Sequence, residues 1–129
     1  MIPARTRRDT GPTPAQKRLV VDRSGSRCEI CNLALFDADL GWLAPHSFHH
    51  RQPRGMGGSK SEANTPDRLL LLCGHATTPG GCHTLVESQR ALAYANGWLV
   101  KHPTDPATVP VVLFAGRLFL THTGTYQEA

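Results

Sequence analysis

"SFHHRQPRGMGGS", residues 47–59, sets two adjacent histidines and two arginines ahead of a turn with three glycines in four positions. Ser47 to Arg51 reads as a short strand entering that turn, and in a strand neighbouring side chains point to opposite faces. His49 and His50 are therefore expected to divide the labour. The glycines at 55, 57 and 58 let the chain turn sharply and approach a ligand closely. Further on, "RLLLLC", residues 68–73, is an apolar run too brief for a lone helix, and reads as a buried second strand. "HTLVESQRALAYANGWLV", residues 83–100, then changes period: Leu85, Ser88, Leu92 and Ala95, or Val86, Ala93 and Tyr94, can share a helical face. The helix is predicted to start at His83 and to stop at Asn96-Gly97.

Four cysteines flank these elements. Cys28-Glu29-Ile30-Cys31 is a Cys-x2-Cys knuckle, and Cys73 and Cys82 offer a second pair. No apolar run approaches the length of a bilayer span, and the N-terminus lacks the apolar stretch of a signal peptide. A cytoplasmic location is expected, with no membrane partner, and there paired cysteines point to metal more than to disulfides. Four thiolates suit a tetrahedral structural zinc, with His75 as a fallback ligand, and such sites contribute roughly 10–16 kcal/mol in model fingers. Four buried free thiols are the competing reading. Of the histidines, one of His49 and His50 can bind a metal together with His83 while the other faces a substrate as a base, since an imidazole titrates near physiological pH. Against this, His46, His49, His50, His75 and His83 can simply supply further zinc ligands or a polar surface.

The chain has 129 residues and a formal net charge of +4, enough for one domain with a modest core. The excess charge is uneven: Arg5, Arg7, Arg8, Lys17, Arg18, Arg23 and Arg27 face only Asp9 and Asp22 before the first cysteine. A basic arm of this kind fits a polyanion, because phosphate binding releases counterions, although it also suits a solvated tail. Residues 1–12 read as a flexible arm, residues 13–100 as the main domain, and residues 101–129 as a connector and extension. Pro14 to Gly25 predicts an N-terminal helix, and "VVLFAGRLFLTHTG" predicts two strands about Ala115-Gly116.

The ordered series Cys28-x2-Cys31, "HHRQPRGMGGS", "LLLLC" and Cys82-His83 resembles the HNH endonucleases, and among them the small nucleases that tailed bacteriophages encode beside terminase genes. The resemblance covers residues 28 to about 96 and extends more weakly through "NGWLVKHPTDPATVPV". It implies an α+β fold: a zinc-stapled ββα-metal (His-Me finger) core with an N-terminal helix and a C-terminal β-hairpin. It implies that His50 is the general base, that His49 and His83 hold a catalytic divalent ion (Mg²⁺, Mn²⁺, Ni²⁺ or Zn²⁺), and that Cys28, Cys31, Cys73 and Cys82 hold structural zinc. Arg51 and Arg54 would bind flanking phosphates of a DNA substrate. Packaging partners, the terminase large subunit and the portal, follow from the same family context. Two departures stand out. The family asparagine position carries Arg68, so that Asn64 is the remaining candidate for bracing the loop that orients His50. The Cys73–Cys82 spacer is also longer than the two residues common in the family. Glu87, one turn beyond His83, can support the metal from behind or lie on the surface. A non-enzymatic zinc-ribbon module that binds DNA or protein, and a restriction- or homing-type nuclease, are the alternative readings.

Overall fold

The structure is a computed structural model that describes residues 11–52, 60–75, 77 and 80–129. Arg5, Arg7 and Arg8 of the basic arm, and the glycine turn with Arg54, lie outside the described residues.

Helix α1 spans Pro14–Ser24. It starts where the sequence predicts because Thr13 Oγ1 accepts from Gln16 N–H (3.1 Å) while Thr13 N–H donates to the Gln16 side chain (2.9 Å), a reciprocal cap that serves two otherwise unpaired donors. Gly25 closes it. After the cysteine knuckle come two two-residue strands, β1 (Phe36–Asp37) and β2 (Gly41–Trp42), and then β3 (His46–His50). A short helix α2 (Lys60–Ala63) and a 3₁₀ turn (Pro66–Arg68) lead to β4 (Leu69–Cys73), antiparallel to β3 with His46 opposite Cys73 and His50 opposite Leu69. The chain is thus a mixed α+β fold of short antiparallel sheets.

Strand β4 is buried along its whole length: Leu69, Leu70, Leu71 and Leu72 are all 0 % exposed. Its apolar run does not alternate because it is covered from both sides, by α1 and by α3 (Gly81–Ser88). Each fully buried leucine contributes about 1.5–3 kcal/mol relative to exposure, which makes β4 the organising element of the core.

Two features differ from the sequence prediction. The helix predicted from His83 to Asn96 begins two residues earlier and is broken in two, α3 and α4 (Arg90–Ala95), at Gln89 (φ −113°, ψ 64°). Thr84 and Ser88 each donate their hydroxyl to the carbonyl four residues back, Gly80 O and Thr84 O, a competition with the backbone ladder that bends helices. The predicted hairpin is also a three-stranded sheet, β5 (Val111–Leu113), β6 (Gly116–Leu120) and β7 (Tyr126–Glu128). β7 carries little apolar signal of its own, and is held by pairing to β6 and by Tyr126.

This sheet belongs to the same core as the hairpin. Phe114 N–H donates to Glu29 O (2.9 Å), Val112 N–H to Asn96 O (2.8 Å), and Trp98 Nε1–H to Val112 O (2.6 Å). Glu29, inside the cysteine knuckle, ties the parts together. Its carboxylate accepts from Arg23 Nε (3.0 Å) and a guanidinium nitrogen (2.7 Å), from Leu71 N–H (2.9 Å) and from Tyr126 O–H (2.7 Å). Burial, reinforced by the adjacent Glu29 charge, pushes the Tyr126 phenol well above its ordinary pKa and keeps it a donor.

Candidate functional site

The four cysteines converge at the Cys73 end of the β3–β4 hairpin, with all four sulfurs within 4.8 Å of one another. Cys31 and Cys73 Sγ are 3.6 Å apart, close to the separation of about 3.8 Å expected for two thiolates on one tetrahedral zinc. Cys28, Cys73 and Cys82 are buried and Cys31 is exposed. The long spacer between Cys73 and Cys82 does not spread the cluster, because it is pinched at its neck. A Cβ on Gly74 (φ 88°) would come within 2.8 Å of Gly80 O, and one on Gly81 (φ 81°) within 2.9 Å of Cys73 O. Only glycine permits both the left-handed backbone and that approach. The cysteines therefore meet as if closely spaced, and Cys82 N–H donates to Cys73 Sγ (3.3 Å). His75, the fallback ligand, is exposed and lies outside the cluster, with Nδ1 3.1 Å from Thr77 Oγ1.

The sulfurs compete for charge. The bond with Cys82 pulls the Cys28 thiol down to about 4, while that same bond pushes Cys82 far up and loss of solvent raises Cys31. The charge of a first thiolate at Cys28 opposes ionisation of Cys82 and Cys31 beside it. Zinc removes the conflict, and the cluster can hold it as a structural ion.

The histidines line a separate cleft of about 390 Å³, formed by His49, His50, His83, Glu87 and Arg90 with Phe48 and Leu99 as its apolar wall. Cys82 and His83 are consecutive on α3, so one helix start serves both centres. His49 is 5 % exposed, and its Nε2 lies 3.0 Å from Trp98 O. A carbonyl can only accept, so Nε2 carries the proton and the lone pair of the neutral ring sits on Nδ1. Burial pulls the His49 pKa down to about 4, which keeps the ring neutral at physiological pH as a metal ligand must be. His83 packs edge to face with His49, ring centres 6.3 Å apart, and its Nδ1 is 3.0 Å from Ser47 Oγ. His49 and His83 form a pair. Among the described residues, the groups of three or more clustered ligands are the cysteines and a second set, Asp67, Asp105 and His122.

Asn64 is fully buried, and its Oδ1 is 2.6 Å from His50 Nε2. The asparagine four residues before Arg68, a candidate for bracing the loop that orients His50, contacts the His50 ring directly. Arg68 itself donates to Gln52 Oε1 (2.9 Å). With the amide oxygen as acceptor, His50 Nε2 holds the proton and Nδ1 holds the basic lone pair.

The expectation for Arg51 is corrected. It is 0 % exposed, and its guanidinium donates to Gly97 O (2.9 Å), Asp67 O (2.8 Å), Pro106 O (3.0 Å) and Val109 O (2.9 Å). That geometry joins the hairpin to the C-terminal segment and leaves no face for a phosphate. Burial pulls its pKa down to about 10, so the charge persists at neutral pH. Arg90, which sequence reasoning passed over, is exposed and lines the histidine cleft. Its spacing of seven from His83, two helical turns, was the available signal. Glu87 is also exposed and lines the cleft, and its charge favours protonated His49. The Trp98 carbonyl had no signal at all, since backbone atoms leave none in a sequence.

Comparison with family models, characterised proteins and solved structures finds no match. Among the described residues no helix is long and apolar enough to cross a membrane.

Proposed function

We propose that this chain is a metal-dependent DNA endonuclease of the HNH type, hydrolysing phosphodiester bonds on a zinc-stapled ββα-metal core formed by β3, β4 and α3. The observation that carries the reading is the 2.6 Å contact of His50 with Asn64 at the edge of a cleft that also contains His49 and His83. A zinc-binding module needs no such arrangement.

His50 Nδ1 is the base in this reading, taking a proton from the attacking water while Asn64 holds the opposite ring nitrogen. His49 and His83 fit a divalent ion because each ring is fixed through one nitrogen, by Trp98 O and by Ser47 Oγ, as metal-bound imidazoles commonly are. When bound, that ion supplies Lewis-acid neutralisation of the charge building on the phosphorane and the departing 3′ oxygen. Arg90 takes the phosphate-holding part first expected of Arg51, and Arg54 lies outside the described residues. A partnership with the terminase large subunit in packaging is part of the proposal, and altered cleavage on adding that subunit is its test.

Plasmid cleavage decides the central point, run with Mg²⁺, Mn²⁺, Ni²⁺ or Zn²⁺ on protein whose cysteine zinc is retained. Metal-dependent nicking is expected, reduced about 10²–10⁴-fold in His50→Ala, the usual contribution of a positioned base. Undiminished cleavage by the variant would remove His50 from the mechanism. Silence of folded, zinc-loaded wild type with every metal would favour a zinc-ribbon binding module.

A further inference from the structure

Away from both centres, Asp67, Asp105 and His122 bring one ligand atom each within 4.8 Å of one another. They come from three segments: the 3₁₀ turn before β4, the start of a second 3₁₀ turn (Pro106–Thr108), and the turn between β6 and β7. The decisive group is the Asp67 carboxylate. It is 0 % exposed, and neither oxygen accepts a hydrogen bond from any described group. Buried polar atoms are almost always satisfied, and an unpaired carboxylate is among the costliest exceptions. The nearby Arg51 guanidinium does not satisfy it, because the Arg51 donors go to carbonyls, Asp67's own included.

The neighbouring ligands stand at coordination spacing. His122 Nε2 is 3.6 Å from Asp67 Oδ2, beyond a hydrogen bond, whereas two ligands about 2.1 Å from one tetrahedral ion lie about 3.4 Å apart. Asp105 spends Oδ1 on Ala107 N–H (3.0 Å) and has its second oxygen for a ligand. Asp105 and His122 are exposed, so an ion can enter and water can complete its shell.

We propose that Asp67, Asp105 and His122 bind a first-row divalent cation of the zinc or manganese type, the class that accepts a mixed imidazole and carboxylate set. The ion fastens the C-terminal segment to the turn that follows Asn64. The site is independent of the nuclease reading, because none of its ligands lines the histidine cleft.

The test uses full-length protein with zinc already in the cysteine cluster. Titration with further Zn²⁺, read by calorimetry and by the thermal midpoint, is expected to show a binding event that raises the midpoint. His122→Ala and Asp105→Asn, the latter keeping the helix cap, should each weaken it by roughly tenfold or more. Asp67→Asn should abolish it while stabilising the protein prepared without the extra ion. Manganese, as a paramagnetic probe, should broaden the amide signals of Thr121 and Thr123, and should still do so in His83→Ala. Zinc binding unchanged by His122→Ala and Asp105→Asn, or no broadening at these residues, would overturn the site.

Discussion

The two ends of the β3–β4 hairpin are built on different physical terms. At the Cys73 end, four thiols from three short segments crowd into one cluster, whose mutual charge conflict a bound metal ion would relieve. At the His50 end the reactive rings are positioned by distant partners: Asn64 from the connecting segment, the Trp98 carbonyl from beyond α4, and Arg51 binding the C-terminal segment underneath. The first end depends on its own ligands, and the second depends on the packing of the whole chain. Loss of the cysteine cluster should therefore cost both ends, whereas changes at the histidine end should leave the cluster standing.

Cysteine loss is the largest effect expected. Cys82→Ser should lower zinc content and abolish cooperative unfolding, since a structural zinc contributes roughly 10–16 kcal/mol in model fingers and a small core cannot absorb that deficit. Zinc analysis and circular dichroism on the same preparation check it. A variant that keeps its unfolding transition with no zinc bound would show that β4 and its leucines hold the hairpin alone, and the contrast between the ends would collapse.

Next comes the link between the ends. The Arg23–Glu29 pair is almost wholly buried, with side-chain exposures of 1 % and 0 %, and Glu29 also receives Leu71 N–H and Tyr126 O–H. Glu29→Gln should lower the unfolding free energy by about 3–5 kcal/mol, because it strands the arginine charge. Urea denaturation measures this. Zinc content at the cysteine end should survive in the fraction that remains folded. A loss below about 1 kcal/mol would place the pair among weak surface bridges and remove it from the core.

How much of this was legible in the sequence follows the same division. The α1 cap, the knuckle and the apolar run of β4 rest on residues close together in the chain and lie where spacing and period predicted, while β3, predicted as Ser47 to Arg51, is shifted by one residue to His46–His50. The break at Gln89 was not legible, because the two hydroxyl back-bonds that compete with the helix are weak beside the apolar period of residues 83–95. Strand β7 was missed because Tyr126-Gln127-Glu128 has no alternation to read. Arg51 was misassigned for a deeper reason. An arginine beside two histidines carries the same letters whether it faces a phosphate or four carbonyls, and three of those carbonyls lie 46 to 58 residues away. Glu29 sat in plain view between two cysteines, but its carboxylate partners span the chain from Arg23 to Tyr126.

The smallest effect tests the histidine end alone. His49 titrates near pH 4 in the fold against 6.5 for an ordinary imidazole, with burial as the main cause. Between those values the unfolded chain binds a proton that the folded chain does not, so stability rises with pH across the window. The contribution is complete above pH 6.5 and is lost as pH falls toward 4, amounting to about 3 kcal/mol from this group. His49→Gln retains an N–H that can donate to Trp98 O and cannot titrate. Without added divalent ion, its stability should fall less steeply than that of wild type between pH 6.5 and 4, and the two curves should run parallel above that range. Parallel curves throughout would mean that His49 takes up its proton in the fold as readily as in the unfolded chain, and would remove burial as the control on that ring. At the cysteine cluster acid would act by a different equilibrium, in which the thiolates take up protons as zinc leaves, so zinc content measured at each pH separates the two ends.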